Sequence, residues 1–399
     1  MKTTNFSLHR NAFLRRGSSL VASGLLAAGP AFAVDNQLNW YGSGVGGGLG
    51  GSGEWAAAAT GTNWYDGSSY LTWAGAVATY GTSATNLIVA NFGGTAGTVT
   101  VGNLGPNNST FIGTVKVTTG GYNFDGTGSI ALAAPDRTHL IVDTVDNTPV
   151  TFGAGITFAL RSSIRTLEVG EGDTLNIAGG FDNGRINKTG AGTLRLTGQS
   201  TGISNANGFT VTAGKLLVNT QEGSGTGNSG ISVLSGATLG GTGIIGATAA
   251  RSVTIGGTLS PGDNSASKLT FDFSNESSRL VFQEGSFLDL TLGTESDIVS
   301  FSEIGDWLTG AGLVTINLTF GEGFSYGASY TVFENVSTVD FTALGISGYD
   351  QSQYLANLSL VDKDYVLTFN PVPEPSTFAL LGAGAVLAVW QIRRRMLEL

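Results

Sequence analysis

Most of the chain alternates short apolar-rich runs with turns built from Gly, Ser, Thr, Asn and Asp. Within the runs, Val, Ile, Leu and Phe recur at every second position, the period of a strand with one buried face. Stretches with a 3.6-residue period are missing outside the two ends. Five runs align with one another: TLEVGEGDTLNIAGG from 166, RINKTGAGTLRLTGQ from 185, GFTVTAGKLLVNT from 208, GISVLSGATLGGTG from 230 and RSVTIGGTLSPGD from 251. Each is a β run, a glycine turn and a leucine-centred run. The apolar positions Leu167, Ile186, Phe209, Ile231 and Val253 recur every 19 to 23 residues. A repeat of that length predicts an all-β solenoid, a parallel β-helix whose inward side chains stack into one apolar column.

The flanking regions differ. Residues 34–84 are rich in Gly, Ala and Trp and predict a lead-in and a cap over the first coil, whose open edge would otherwise invite pairing. Residues 85–278 carry the β-helix repeats. Residues 279–370 hold longer alternating runs, such as RLVFQEGSFLDLTL and GLVTINLTF, read as irregular final coils or a small β cap. GDWLTGAG at 305–312 reads as a short helix or turn between them.

The two ends look like sorting segments. Residues 1–33 form a leader: Lys2, Arg10, Arg15 and Arg16 precede a small apolar run, and Ala31-Phe32-Ala33 supplies an A-x-A cleavage site after Ala33. Arg15-Arg16 allows a twin-arginine route, but its neighbours match poorly and the general secretory route fits better. At the other end, residues 378–392 are uncharged and mostly apolar, which predicts a short transmembrane helix. Arg393, Arg394 and Arg395 follow as a stop-transfer cluster, which favours the cytoplasmic side.

In residues 371–399, Pro373-Glu374-Pro375, the apolar run and the arginines stand in that order. The arrangement resembles the PEP-CTERM sorting signal of Gram-negative bacteria. The resemblance implies an exosortase-type membrane protease as partner, a transient stay in the inner membrane, and delivery to the cell surface, outer membrane or matrix of an exopolysaccharide producer. KTGAGTL at 188–194, with the Gly214-Lys215-Leu216 strand, resembles the autotransporter-associated β-strand repeat, and ANFGGTAGTVTVG at 90–102 is similar to the openings of exported proteins that carry it. That second resemblance implies a right-handed β-helix like an autotransporter passenger. No translocation barrel follows, so self-transport is not implied.

Composition then narrows function. Cysteine is absent, so neither disulfides nor thiol chemistry are available. Between leader and tail, 12 Lys+Arg face 27 Asp+Glu, a body near −15. Nucleic acid, whose phosphates demand a basic surface, is an unsuitable partner.

Candidate chemistry is thin, and the reading predicts neither an enzyme nor a cofactor. His139 is the one histidine beyond the leader; it lies near Asp136, Arg137, Asp143 and Asp146, and any Ser-His-Asp triad would have to use it. A lone histidine beside a strand reads as a surface or satisfied residue. Glu168, Glu171 and Asp173 crowd one turn, read as a solvated corner rather than a calcium site. GSGVGG at 42–47 has no flanking strand and helix and reads as a loop. Trp40, Trp55, Trp64 and Trp73 crowd one end with three tyrosines. Exposed, they would stack on sugar rings, with exopolysaccharide as the ligand; buried, they would form the cap core. The expected role is a non-enzymatic structural or adhesive surface protein. The alternatives are a polysaccharide-processing β-helix enzyme and a carbohydrate-binding module using the tryptophans.

Overall fold

The computed structural model describes residues 34–80, 86–105, 111–132, 138–201, 203–205, 208–372, 384 and 386–394. Ala33–Leu399 form one compact unit; the other, Met1–Phe32, lies outside the described residues, as do the Ala31 and Ala33 cleavage site and Pro373, Glu374, Pro375 and Arg395 of the tail.

The described body is an all-β solenoid of about nine turns. Its strands stack in parallel, each on the strand one lap earlier. The first face runs Ile164–Val169, Arg185–Thr189, Phe209–Val211, Ile231–Val233, Ser252–Ile255, Arg279–Phe282. The second runs Thr174–Ile177, Thr193–Leu196, Lys215–Val218, Thr238–Gly241, Thr258–Pro261, Phe287–Leu292. Both faces continue towards the N-terminus, to Val34–Trp40 on the first and Gly53–Trp55 on the second. A third face ends as Ile244–Ala247, Lys268–Phe273, Ile298–Gly305 and Tyr330–Val336, closed by the antiparallel hairpin Tyr354–Val361 and Asp364–Pro371.

Register carries the core. On the second face Leu175, Leu194, Leu216, Leu239, Leu259 and Leu288 are successive Cα partners, all buried. Each leucine covers the one before it, so no lap completes its own core. Nearer the N-terminus the interior is aromatic. Phe92, Phe124, Phe152, Phe158, Phe181 and Phe209 make a chain of ring contacts, the closest at 4.3 Å between Phe124 and Phe152.

On the first face Ile186, Phe209, Ile231 and Val253 stack as the repeat spacing predicts, but Leu167 does not. Ile186 is the partner of Arg165, and Leu167 is the partner of Lys188. Two long basic side chains thus occupy inward slots. Lys188 is fully buried, and its Nζ donates to the carbonyls of Thr189 (2.8 Å), Gly190 (2.8 Å) and Ala213 (3.2 Å). The amine therefore ties one turn to the next. Gly190 and Gly192 complete that corner: Gly190 has φ +73°, a Cβ on it would lie 2.2 Å from Val169 O, and one on Gly192 would lie 2.1 Å from Gly170 O. Laps stacked this closely leave no room for a side chain there.

Further expectations fail, among them the absence of helix outside the two ends, since Trp73–Tyr80 is an α-helix in the cap. GDWLTGAG is neither helix nor turn: Leu308 begins the thirteen-residue strand Leu308–Phe320, which serves the first face at Leu308 and the second from Thr315. Its glycines mark a register shift in the pairing with Val339–Ser347, between Gly310 and Leu313. Nor is a transmembrane helix found: among the described residues no helix is long and apolar enough to cross a membrane. Residues 386–394 are helical. Nine residues rise only about 14 Å, against a hydrocarbon core of about 30 Å.

Candidate functional site

The four N-terminal tryptophans are buried, with Trp40, Trp55, Trp64 and Trp73 each at most 1% exposed. Trp64 lies 5.1 Å from Trp40, 5.5 Å from Trp55 and 5.1 Å from Trp73, and Phe92 closes the cluster. Trp40 Nε1 donates to Gly51 O and Trp73 Nε1 to Leu104 O. Trp64–Tyr65 pairs antiparallel with Val34–Trp40 and covers the edge of the first strand. The sugar-platform expectation is therefore corrected: indoles without an exposed face are the cap's core, and large aromatic area is what a solenoid end needs in order to exclude water.

His139 is structural as well; Asp136 and Arg137 lie outside the described residues. His139 is 1% exposed, and its Nδ1 accepts the Thr166 backbone N–H at 3.2 Å where the ladder slips register. It is a satisfied residue, though not a surface one. Asp173 is buried too and accepts from the Thr144 backbone N–H at 2.8 Å and from the Thr144 hydroxyl. It fastens two laps, so the solvated-corner reading holds for the exposed Glu171 and fails for Asp173.

The polar feature that stands out lies on the second face, where no local motif marks it. After Thr258–Pro261 the chain turns at Gly262 and folds back over earlier laps. Asp263 takes a bidentate ion pair from Arg195, Nε at 2.7 Å and Nη2 at 2.8 Å, and a hydrogen bond from Asn219 Nδ2 at 2.6 Å. Arg195 Nη1 donates to Asn176 Oδ1 at 3.1 Å. The strap thus pins four laps. The Arg195 guanidinium holds the Asp263 carboxyl below its ordinary range, with Asn219 assisting and burial opposing.

Between strap and ladder runs a groove of 410 Å³. One wall is the register row Thr174, Thr193, Lys215, Thr238; the floor is Arg195, Leu217 and Ser260; the other wall is the strap. Asp297 reaches it from below. It is 4% exposed and accepts the N–H groups of Ser267 (2.8 Å) and Thr291 (2.7 Å), while burial pushes its carboxyl up. Both nearby carboxylates are thus engaged by the protein.

The remaining site is the tail. Val386, Leu387, Val389, Trp390 and Ile392 are more than half exposed on the body's own chain, and the Arg394 guanidinium sits 5.5 Å from the Trp390 ring centre. Arg393 is exposed beside it. An apolar helical face without cover and with a basic end is suited to lipid, not to water. Residues 371–395 match the PEP-CTERM protein-sorting motif. No curated protein matches the chain. The PEP-CTERM tail implies export, processing by exosortase, a membrane protease, and transient membrane anchoring.

Proposed function

We propose that this protein is a non-enzymatic structural or adhesive component of the cell surface or extracellular matrix of a Gram-negative exopolysaccharide producer. The observation that carries the reading is the joining of a sorting tail to a body whose interior is a continuous stack of apolar side chains, lap on lap. Such a column gives stiffness without cysteines, which suits a scaffold working outside the cell. The coil is read as right-handed, because crossovers between parallel strands take that hand in about 98% of cases. The Lys188–Leu194 stretch is read as an autotransporter-associated repeat, supported by the inward Lys188 and the tight Gly190 corner.

The rival reading, a polysaccharide-processing enzyme, needs a carboxylate free to move a proton. At the groove Asp263 is locked by Arg195 and Asn219, and Asp297 is spent on two backbone N–H groups. That favours holding over cutting.

Mass spectrometry of the mature protein from its native host tests the sorting half. The expected surface form lacks Arg393, Arg394 and Arg395 and ends near Pro373-Glu374-Pro375. Replacing those three residues by alanine is expected to leave the tail attached and the protein in the membrane fraction. A surface form that retains residues 376–399 would contradict the reading.

A further inference from the structure

The second-face groove has a donor-rich lining that the fold does not need. Lys215 is exposed and makes no hydrogen bond or close ion pair among the described residues, although its charge helps to hold the Asp263 carboxyl low. Arg195 spends three N–H groups on Asp263 and Asn176. A guanidinium has five, so two remain. The hydroxyls of Thr174, Thr193, Thr238 and Ser260 border the same space and take part in no hydrogen bond within the described body. Every acceptor of comparable strength, Asp263 and Asp297, is already engaged. Arg195 and Lys215 are balanced in the lining by Asp263 and Asp297, so what the groove has to spare is N–H and O–H donors rather than net positive charge.

The geometry also has a repeat. Thr174, Thr193, Lys215 and Thr238 are successive Cα partners, so their side chains step along the stack at about 4.8 Å per lap. That step is close to the length of one sugar ring in a linear glycan. Leu217 and Pro261 give the groove an apolar strip, the complement of a pyranose face. Gly240, in the same column between Leu217 and Ser260, lets the laps stack closely, since a Cβ there would lie 2.3 Å from Ser260 O.

We propose that this groove binds one strand of a carboxylate-bearing glycan laid along the ladder, with Lys215 and the unspent Arg195 N–H groups taking its carboxylates and the threonine row its hydroxyls. The strap holds Arg195 in place, so the site is formed before the glycan arrives and little ordering is lost on binding. The overall negative charge does not forbid it: charges farther than about 8–10 Å are screened at physiological salt, and the two carboxylates of the groove, Asp263 and Asp297, are engaged by protein donors. The proposal deepens the adhesive reading by naming what is held, and it extends that reading beyond the buried tryptophans.

The test is calorimetric titration of the full-length chain, purified in mild detergent, with alginate oligosaccharides and with the same oligosaccharides after carboxyl reduction. It does not depend on sorting, so its failure and the failure of the tail reading are separable. Alginate is expected to bind. Lys215→Ala should weaken binding about tenfold, as for a lost hydrogen bond to a charged group, and carboxyl reduction should weaken it at least as much. Thr193→Val should weaken it a few-fold. Lys268→Ala, which removes a cation paired with Glu334 on the third face, should leave affinity unchanged. Lys215 is exposed, so its loss should not alter thermal unfolding, and that is checked alongside. No binding of alginate, equal binding of reduced and unreduced oligosaccharides, or an unaffected Lys215→Ala would each overturn the proposal.

Discussion

Leu216→Asp is expected to unfold the laps on either side of it. Leu216 is fully buried and has Leu194 and Leu239 as its Cα partners, so it closes the core of two neighbours at once. Truncation alone, Leu216→Ala, removes that cover and leaves a cavity, with an expected loss of about 3–4 kcal/mol. Aspartate adds an unpaired charge in an apolar column, several kcal/mol more. Each lap contacts only its neighbours, so the damage should be local first. Amide exchange should speed up in the strands beginning at Thr193, Lys215 and Thr238 before it does in the cap. Thr210→Asp, on a half-exposed position that its burial pattern places outward, should change stability by no more than about 0.5 kcal/mol. Equal effects from the two aspartates would mean that the inward–outward alternation is wrong.

Lys188 carries the second large effect, and it shows in pH. Burial draws its amine down from 10.5 to about 8, with Glu168 pulling modestly the other way. Between about pH 8 and 10.5 the unfolded chain keeps a proton that the folded chain has released. Stability therefore rises with pH through that window, by at most about 3 kcal/mol at 1.36 kcal/mol per pKa unit. Tyr122, pushed up to about 12 by burial, works in the opposite sense above pH 10, where the folded chain keeps the proton. Lys188→Met keeps the volume and removes the charge. It should abolish the rise and cost about 1–2 kcal/mol at pH 7, because three carbonyls lose their donor. Lys188→Ala, with its cavity, should cost about 3–5 kcal/mol. Urea unfolding at a series of pH values reads all of this; an unchanged rise in Lys188→Met would exclude the buried amine as its source.

Ile186, Phe209, Ile231 and Val253 were legible as a stack because hydrophobicity repeats where geometry does. Leu167 was misaligned because its lap places Arg165 in the equivalent slot, and a reading by apolar residues passes over an inward arginine. Lys188 was legible as a motif letter but not as a buried group; only its three carbonyl partners explain why it is inside. The tryptophans announced a cap or a binding platform, and composition alone cannot separate these, since burial is decided by the strand that covers them. GDWLTGAG misled because glycine breaks helices and marks bulges alike. The strap left no local signal at all. Arg195 and Asp263 are 68 residues apart, and their pairing exists only because the coil returns to the same face.

Leucine methyl NOEs test the central claim most directly. With only leucine methyls protonated, the stacked coil predicts a single chain of contacts, Leu175 to Leu194 to Leu216 to Leu239 to Leu259 to Leu288, each to the next lap and none skipping one. Contacts among non-neighbouring members of that series, or silence between adjacent ones, would contradict it.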